Sequence, residues 1–545
     1  MMKNKIKKNS FAESTFISYF AIVTSKVLGV LYNIPFYSLI GNAGDFIYSI
    51  AYQIYALFLD ISTSGIPTAI SIVIGHYNSL KKYRTKEIAY SLGLKAILTI
   101  SIISFLFMEI GAEAIARFYL SSMKEGATVA DVAGGIRVIA FCILIVPVLS
   151  IRRGYLQGHK FFEVSSFSQI IEQFIRIVVA LIGSYIIIRL VRMNVKYGVY
   201  IALLGATIGA LAAFIYIDIN IRNNSKAFPK GENDEKTDST RQIALKIFSY
   251  CATITLVSIV SSVYNIIDTK LMLEGLRKVG YSDIDNQHIS SLISSWVPKM
   301  TEVMGALAMA MTSSIAPHIA DSYARKDLKD VKDKINKGIS ILMMITIPLM
   351  IGMFVFSDPY FRVFYGYDKY GPSLFRVNVI FNLIVCYTMV LSMTLQSLNQ
   401  GRKVVYVTIF SIIINTAGDL PFIYLLDYLG LPAHIGAGIS SIVAELIKLA
   451  LLLKYIHSTI DIDYRQSLNV LLKELLPLLA MSAVIIILRL LWPPVENRIL
   501  LTGQLGLCAL AGVMVFLILG LHNGVIYDVF GKETVEKILK KIHLA

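Results

Sequence analysis

The segment that decides the fold is RRGYLQGHKFFEVSSFSQIIEQFIR, residues 152–176, because a second version of it occurs at residues 400–419, QGRKVVYVTIFSIIINTAGD. A shift of 243 residues aligns eight identical pairs, among them Gln157 with Gln400, Gly158 with Gly401 and Lys160 with Lys403. Only about one or two identities would be expected by chance, and the polar Gln-Gly-x-Lys signature is not explained by apolar composition. The chain therefore contains an internal repeat of the kind found in duplicated membrane transporters.

The composition excludes a soluble globular protein. Hydrophobic residues make up 56% of the chain, charged residues only 16%, and the mean hydropathy is +0.66. The formal charge of +15 comes from short basic clusters between apolar runs, which is typical of loops facing an anionic membrane surface rather than of nucleic-acid binding. The four cysteines are far apart in the sequence, and their spacing matches neither a disulfide framework nor a metal-binding motif.

Apolar segments long enough to cross a bilayer predict fourteen transmembrane helices in an all-α integral membrane protein. We place them near residues 13–40, 45–76, 87–112, 132–152, 163–189, 197–220, 243–274, 290–320, 338–357, 373–399, 404–428, 433–456, 469–491 and 498–521. With both termini in the cytoplasm, about 31 Lys and Arg residues lie inside and about 11 outside, as the positive-inside rule requires. We expect a multi-pass protein of a bacterial cell membrane.

The repeat divides this array into two six-helix bundles of the same orientation, followed by two additional helices. The predicted segments are an N-terminal bundle at 1–221, a charged cytoplasmic linker at 222–241, a C-terminal bundle at 242–457, helices 13 and 14 at 458–522 and a cytoplasmic tail at 523–545. Gly65 and Pro67 interrupt the second predicted span, close to Asp60.

Ionisable residues in the middle of these spans are the candidate functional residues, because an ion in hydrocarbon costs several kcal/mol unless it meets water or a partner. The set in the first half comprises Lys26, Asp60, Glu172 and Arg176, and spans 7 and 8 add Lys270 and Lys299. Lys26 and Asp60 lie at similar depth, and Glu172 and Arg176 are spaced to pair along one helix face. Ion pairs that fix helix packing are the simpler explanation of each pair, but the whole set favours a hydrated central cavity.

Unpaired cations in such a cavity would attract an anion such as a phosphate. The repeat aligns Arg176 with Asp419, so the two halves carry opposite charges at equivalent places. This asymmetry suggests that the first half binds an anionic substrate group and the second a cation or proton. No phosphate-binding loop or hydrolase motif occurs, so we expect a transporter driven by a gradient or by the membrane potential rather than an enzyme.

Four motifs resemble the lipid II flippase family (MurJ-, YtgP- and SpoVB-like proteins) of the multidrug/oligosaccharidyl-lipid/polysaccharide exporter superfamily. They are SKVLGVLYNIP at 25–35, DISTSGIPTAIS at 60–71, RRGYLQGHKF at 152–161 and WVPKMTEVMGALAMAMTSSIAPHIA at 296–320. The resemblance covers nearly the whole chain. Gram-negative members have an arginine where Lys26 stands, whereas further arginines of the family are replaced here by uncharged residues such as Tyr32.

The resemblance implies alternating access, with the pyrophosphate and sugars of lipid II in a cationic cavity and the polyprenyl tail along helices 13 and 14. Some relatives bind sodium, and Asn415 and Asp419, with Ser440 or Ser441, resemble that site; Na⁺ or H⁺ is the expected coupling ion, with no other cofactor. The expected partners are lipid II or a related undecaprenyl-pyrophosphate glycolipid and membrane lipids, not nucleic acid, and we expect a monomer. The alternatives are a flippase for another polyprenyl-linked saccharide, a multidrug antiporter and a membrane glycosyltransferase.

Overall fold

The computed structural model of the chain describes residues 24–25, 28–29, 32–63, 65–120, 125–228, 238–533 and 535–536. Within these ranges the regular structure is helical and no strand occurs, which confirms the all-α class. Contacts divide the chain into two compact units, residues 1–295 and 296–545. The predicted boundary at residue 242 marks the sequence repeat rather than this division, and it stays a prediction.

The first unit contains eight described α-helices. They are α1 (Asn33–Thr63), α2 (Ile66–Ser79), α3 (Tyr83–Leu120), α4 (Val129–Gly158), α5 (Phe162–Val178), α6 (Val195–Asn223), α7 (Thr240–Lys278) and α8 (Asp283–Ser291). Beyond α5 the same span continues through two π-helical turns, Val179–Gly183 and Ile186–Leu190. Helix α4 packs against α1, α2, α3 and α6, and α7 packs against α1, α2 and α3.

The second unit contains nine described α-helices. They are α9 (Val297–Ala324), α10 (Leu328–Val355), α11 (Ser357–Tyr365), α12 (Gly371–Ser397), α13 (Gly401–Tyr428), α14 (Gly436–Ile460), α15 (Arg465–Leu491), α16 (Arg498–His522) and α17 (Val525–Phe530). One buried apolar cluster joins α9, α10, α12, α13 and α14. A second cluster joins α10 with α15, α16 and α17.

Local sequence explains where several helices begin and break. Thr128 and Ser239 form capping boxes with Asp131 and Gln242, which satisfy the first free backbone amides of α4 and α7. The predicted second span breaks at Gly65, where φ is +80° and an added Cβ would lie 3.1 Å from the backbone of Cys251. A residue with a side chain would be strained at this position, so the break predicted from Gly65 is confirmed.

Twelve described helices are long and apolar enough to cross a membrane, so this is a multi-pass membrane protein. They correspond to predicted spans 2 to 7 and 9 to 14. Predicted span 1 lies mostly outside the described residues, and α9, which covers most of span 8, is 28 residues long but is not among the twelve. The total of fourteen therefore stays a prediction.

Candidate functional site

The first candidate site is centred on Arg176 in α5. Its guanidinium donates hydrogen bonds to the hydroxyl of Tyr52, 3.1 Å away in α1, and to the side-chain oxygen of Gln173. The buried Nε has no hydrogen-bond partner, and within the described residues no carboxylate lies within ion-pair distance of the guanidinium. Arg176 therefore remains a cation held by neutral groups and able to accept an anionic partner.

Four tyrosines extend from this arginine, and we name them the tyrosine column: Tyr48, Tyr52 and Tyr55 of α1, and Tyr32, which directly precedes α1. The rings of Tyr48 and Tyr52 are stacked at 5.7 Å, and those of Tyr52 and Tyr55 meet edge to face at 5.5 Å. The hydroxyls of Tyr32 and Tyr48 are 3.0 Å apart. Tyr48, Tyr52 and Tyr55 lie on successive turns of one face of α1, whereas Tyr32 lies beyond the kink at Gly41, so the column presents aromatic rings and hydroxyl groups beside the cation of Arg176.

The expected pairing of Glu172 with Arg176 is not formed. Glu172 instead accepts a hydrogen bond of 2.8 Å from Arg153 of α4, which also donates to Ser168. The turn between α4 and α5 brings Arg153 alongside α5, and this second helix competes successfully for the carboxylate. Arg176 therefore forms its hydrogen bonds with Tyr52 of the tyrosine column and with Gln173 instead of with this carboxylate.

The other predicted residues of the first unit lie in separate environments. Asp60 in α1 accepts a hydrogen bond from Ser262 of α7. Lys270 in α7 is buried, 3.2 Å from the carboxylate of Glu274, and its ammonium stands over the ring of Phe118. Because Lys270 already has an acidic neighbour one turn away, it is a weaker candidate for an anion site than Arg176. Lys26 lies outside the described residues.

A buried cluster that the sequence analysis missed joins α1 to α8. Asp45 is completely buried, and its Oδ2 lies 2.9 Å from Nδ1 of His288 and accepts a hydrogen bond of 2.7 Å from Ser291. On the same helix, Gln287 donates to the backbone carbonyl of Glu125. These contacts fasten α8 to the first unit. The signal in the sequence was an aspartate at the first turn of an apolar span, but its histidine partner is 243 residues away.

In the second unit, Lys299 at the start of α9 places its ammonium 4.3 Å from the centre of the Trp296 ring, a cation–π contact. Glu445 and Lys448 in α14 form an ion pair at 2.9 Å, and Thr388 of α12 donates a hydrogen bond to the same carboxylate. The two charges neutralise each other, and the hydrogen bond from Thr388 joins α14 to α12. We therefore interpret the pair as part of helix packing.

The four residues predicted to bind sodium are brought together where α13 and α14 approach closely. Asn415 donates from Nδ2 to Ser441 at 3.0 Å, and Ser440 donates to the backbone carbonyl of Asn415 at 2.9 Å. Asp419 lies one turn further along α13 and is completely buried. An added Cβ at Gly418 would lie 2.5 Å from the Ser440 hydroxyl, so glycine permits this approach. The structure thus brings an amide and two hydroxyl groups into contact, with the carboxylate of Asp419 one turn along the same helix.

Comparison with known proteins gives consistent matches over most of the chain. The Polysaccharide biosynthesis protein family matches residues 11–280, and the MatE family matches residues 294–420. Lipid II flippase MurJ of Bacillus subtilis (strain 168) is 27% identical over 76% of this chain and 77% of its own length. Stage V sporulation protein B of the same organism is 20% identical over 75% of this chain and 77% of its own length.

The solved structure of lipid II flippase MurJ in an inward closed conformation shares the fold. Its TM-score is 0.66 with 14% sequence identity, and the match covers 94% of this chain and 99% of that one. The protein is thus a multi-pass α-helical membrane transporter and not an enzyme. Together these matches place the chain in the multidrug/oligosaccharidyl-lipid/polysaccharide exporter superfamily, within which it is similar to MurJ-like proteins.

Proposed function

We propose that this protein is a flippase that moves a lipid-linked glycan across the cytoplasmic membrane by alternating access, and that its substrate is lipid II. Arg176 carries the proposal, because a cation held only by neutral hydrogen-bonding groups is suited to the pyrophosphate of such a lipid. The similarity to lipid II flippase MurJ over three quarters of the chain supports the same substrate class.

In the proposed mechanism, the Arg176 guanidinium binds phosphate oxygens through its fork of N–H groups. The tyrosine column lies beside it, where aromatic rings and hydroxyl groups can contact sugar. Glu172 stays paired with Arg153 and therefore does not repel the pyrophosphate. Lys26, the other predicted cation of this half, would add a second positive charge to the same headgroup.

Genetic replacement tests this proposal. Bacteria depleted of their own lipid II flippase should survive on this gene when the protein is produced in the membrane at a comparable level. Death of these cells despite normal production would refute lipid II as the substrate. The second candidate, a flippase for another polyprenyl-linked saccharide, is favoured by the match to the Polysaccharide biosynthesis protein family; it predicts failure here and rescue of a strain lacking the flippase for that saccharide.

We further propose that the second unit binds Na⁺ at Asn415, Asp419, Ser440 and Ser441. One carboxylate with neutral oxygen donors fits a hard monovalent cation, and the described residues contain no group of three His, Cys, Asp or Glu that would favour a transition metal. Bound sodium would neutralise the buried Asp419 and hold α13 against α14.

If the site binds Na⁺, the purified protein should unfold at a higher temperature in NaCl than in choline chloride at equal ionic strength. The Asp419→Asn variant should lose this difference, because the amide removes the charge that attracts the ion. The matched variant Asp427→Asn, at an exposed position of the same helix, should keep it. An equal response of the wild-type protein to both salts would argue against the site and leave the proposed substrate untouched.

A further inference from the structure

Glu474 in α15 is an acidic residue in an apolar environment. Its side chain is completely buried, and neither carboxyl oxygen has a hydrogen-bond partner among the described residues. Val470 lies one turn before it and Leu478 one turn after it, and both belong to the buried cluster that α15 forms with α10, α16 and α17. Glu474 therefore occupies the buried stripe of the helix.

The charged groups around α15 are directed elsewhere. The neighbouring Lys473 pairs at 2.6 Å with Asp528 of α17, and both side chains are about half exposed. Arg489, further along α15, donates to the backbone carbonyl of Val355 at the end of α10. The described residues form no ion pair with Glu474.

The other titratable groups on the packed elements are tyrosines, the thiol of Cys508 and charged groups near helix ends. Tyr387 of α12 interacts electrostatically with Glu474 over a distance, and its hydroxyl lies 3.2 Å from that of Thr346 in α10. On α10, Asp330 and Lys334 pair with each other and Lys337 is exposed, while α16 carries Arg498 at its first residue and the exposed His522 at its last. In the described part of these helices, none of the named cations forms an ion pair with the Glu474 carboxylate.

A proline lies next to this carboxyl group. Pro477 has no N–H, so the carbonyl of Lys473 loses its helical hydrogen bond. The side-chain amide of Asn523, at the end of α16, donates to that carbonyl at 2.7 Å instead. The helix is therefore held at this point by a contact that can be exchanged with water, and α15 can bend there without breaking its regular backbone hydrogen bonds.

Burial decides the protonation state of Glu474. An ionised carboxylate without a partner in an apolar interior costs far more than its neutral acid, so the group takes up a proton instead. When movement of α15 exposes the side chain to water, the acid becomes an ordinary carboxylate and its proton passes to a water molecule. Protonation of Glu474 therefore favours the packed position of α15, and loss of the proton favours the exposed position by the same free energy.

We propose that Glu474 is a proton-binding site, neutral while α15 is packed against α10 and deprotonated when bending at Pro477 exposes it. The site couples the helix pair α15 and α16 to protons, independently of which substrate the first unit binds. It lies in the second unit, outside the residues proposed above to bind sodium.

Infrared spectroscopy of the full-length protein in lipid nanodiscs tests the protonation state directly. The wild-type protein should show the carbonyl stretch of a protonated carboxyl group at pH values well above the ordinary glutamate pKa of about 4.3. This band should disappear in Glu474→Gln and persist in Glu496→Gln, whose side chain is in the exposed loop before α16. Identical spectra for the wild-type protein and Glu474→Gln would overturn the proposal.

Stability against pH gives a second readout. The folded protein holds a proton that the unfolded chain releases, so the unfolding equilibrium constant of the wild-type protein should rise with pH, by up to about tenfold per unit. Glu474→Gln and Glu474→Leu should each have a flatter profile, and the leucine variant remains informative if the glutamine variant does not fold. Parallel profiles for wild type and variants would show that Glu474 carries no such proton.

Discussion

At the scale of single residues, the structure shows which of the predicted cations have an acidic neighbour, which the sequence could not show. Arg176, Lys270 and Lys299 were predicted together from their depth in apolar spans. Lys270 has the carboxylate of Glu274 beside it, whereas Arg176 is bonded to a tyrosine and a glutamine. The decisive contact is the one between Arg153 and Glu172, because it removes the nearest acid from Arg176.

Replacing Arg176 by alanine should weaken binding of a pyrophosphate-bearing lipid by roughly ten- to a hundredfold, since a hydrogen bond to a charged group contributes about 1.5–3 kcal/mol. Arg176→Lys should be intermediate, because it keeps the charge but loses the fork geometry. The measurement is lipid affinity in nanodiscs together with rescue of flippase-depleted cells, and Lys26→Ala should also abolish rescue.

The matched control is Arg402→Ala, at an exposed position in the first turn of α13. It should bind lipid as the wild-type protein does. If the Arg176→Ala variant bound lipid and rescued flippase-depleted cells as well as the wild-type protein does, the proposed role of Arg176 in substrate binding would be wrong.

At the scale of helices, the internal repeat reappears as a shared burial pattern. Val164 and Val407 are both buried, and so are Ser168 and Ser411. The aligned pair Phe167 and Phe410 is exposed to 50% and 49%, which suits the lipid-facing side of both α5 and α13. Equivalent residues therefore face equivalent surroundings in the two halves, although α13 begins at Gly401 and α5 only at Phe162.

The contact between α5 and α6 should be sensitive to added volume at Gly209. A Cβ there would lie 2.5 Å from the carbonyl oxygen of Glu172 and 3.3 Å from Cβ of Arg176. Gly209→Ala should destabilise the protein by about 1–3 kcal/mol, because the two backbones must separate. Thermal unfolding in detergent would measure the loss.

Gly503→Ala in α16 is the control, since no atom lies within 4 Å of the added Cβ. This variant should be neutral or slightly more stable, because alanine has the higher helix propensity. A Gly209→Ala variant as stable as Gly503→Ala would contradict the close packing of α5 on α6.

At the scale of the whole molecule, the proposed orientation follows from charge. The linker at 222–241 and the C-terminal tail should be cytoplasmic, and the loop between α15 and α16 should be external. All four native cysteines are buried, so labelling of introduced cysteines has a low background.

Glu496→Cys should react with a membrane-impermeant maleimide in intact cells, whereas Lys230→Cys should react only after permeabilisation. The pattern tests the orientation because the two positions are separated by an odd number of proposed spans. Labelling of Lys230→Cys in intact cells would show that the protein has the opposite orientation in the membrane. Light scattering of the purified protein would test the expected monomer in the same preparation.

The sequence by itself determined the membrane environment, the all-helical class, the internal repeat and the superfamily. Each of these follows from composition, periodicity or motifs, which depend on the order of residues along the chain. Tertiary structure decided which charges are neutralised: Glu172 pairs across the turn with Arg153, Asp45 contacts a histidine 243 residues away, and Glu474 is enclosed by apolar side chains. The physical reason is that the free energy of a charge depends on its nearest neighbours in space, and helix packing brings those neighbours from distant parts of the sequence.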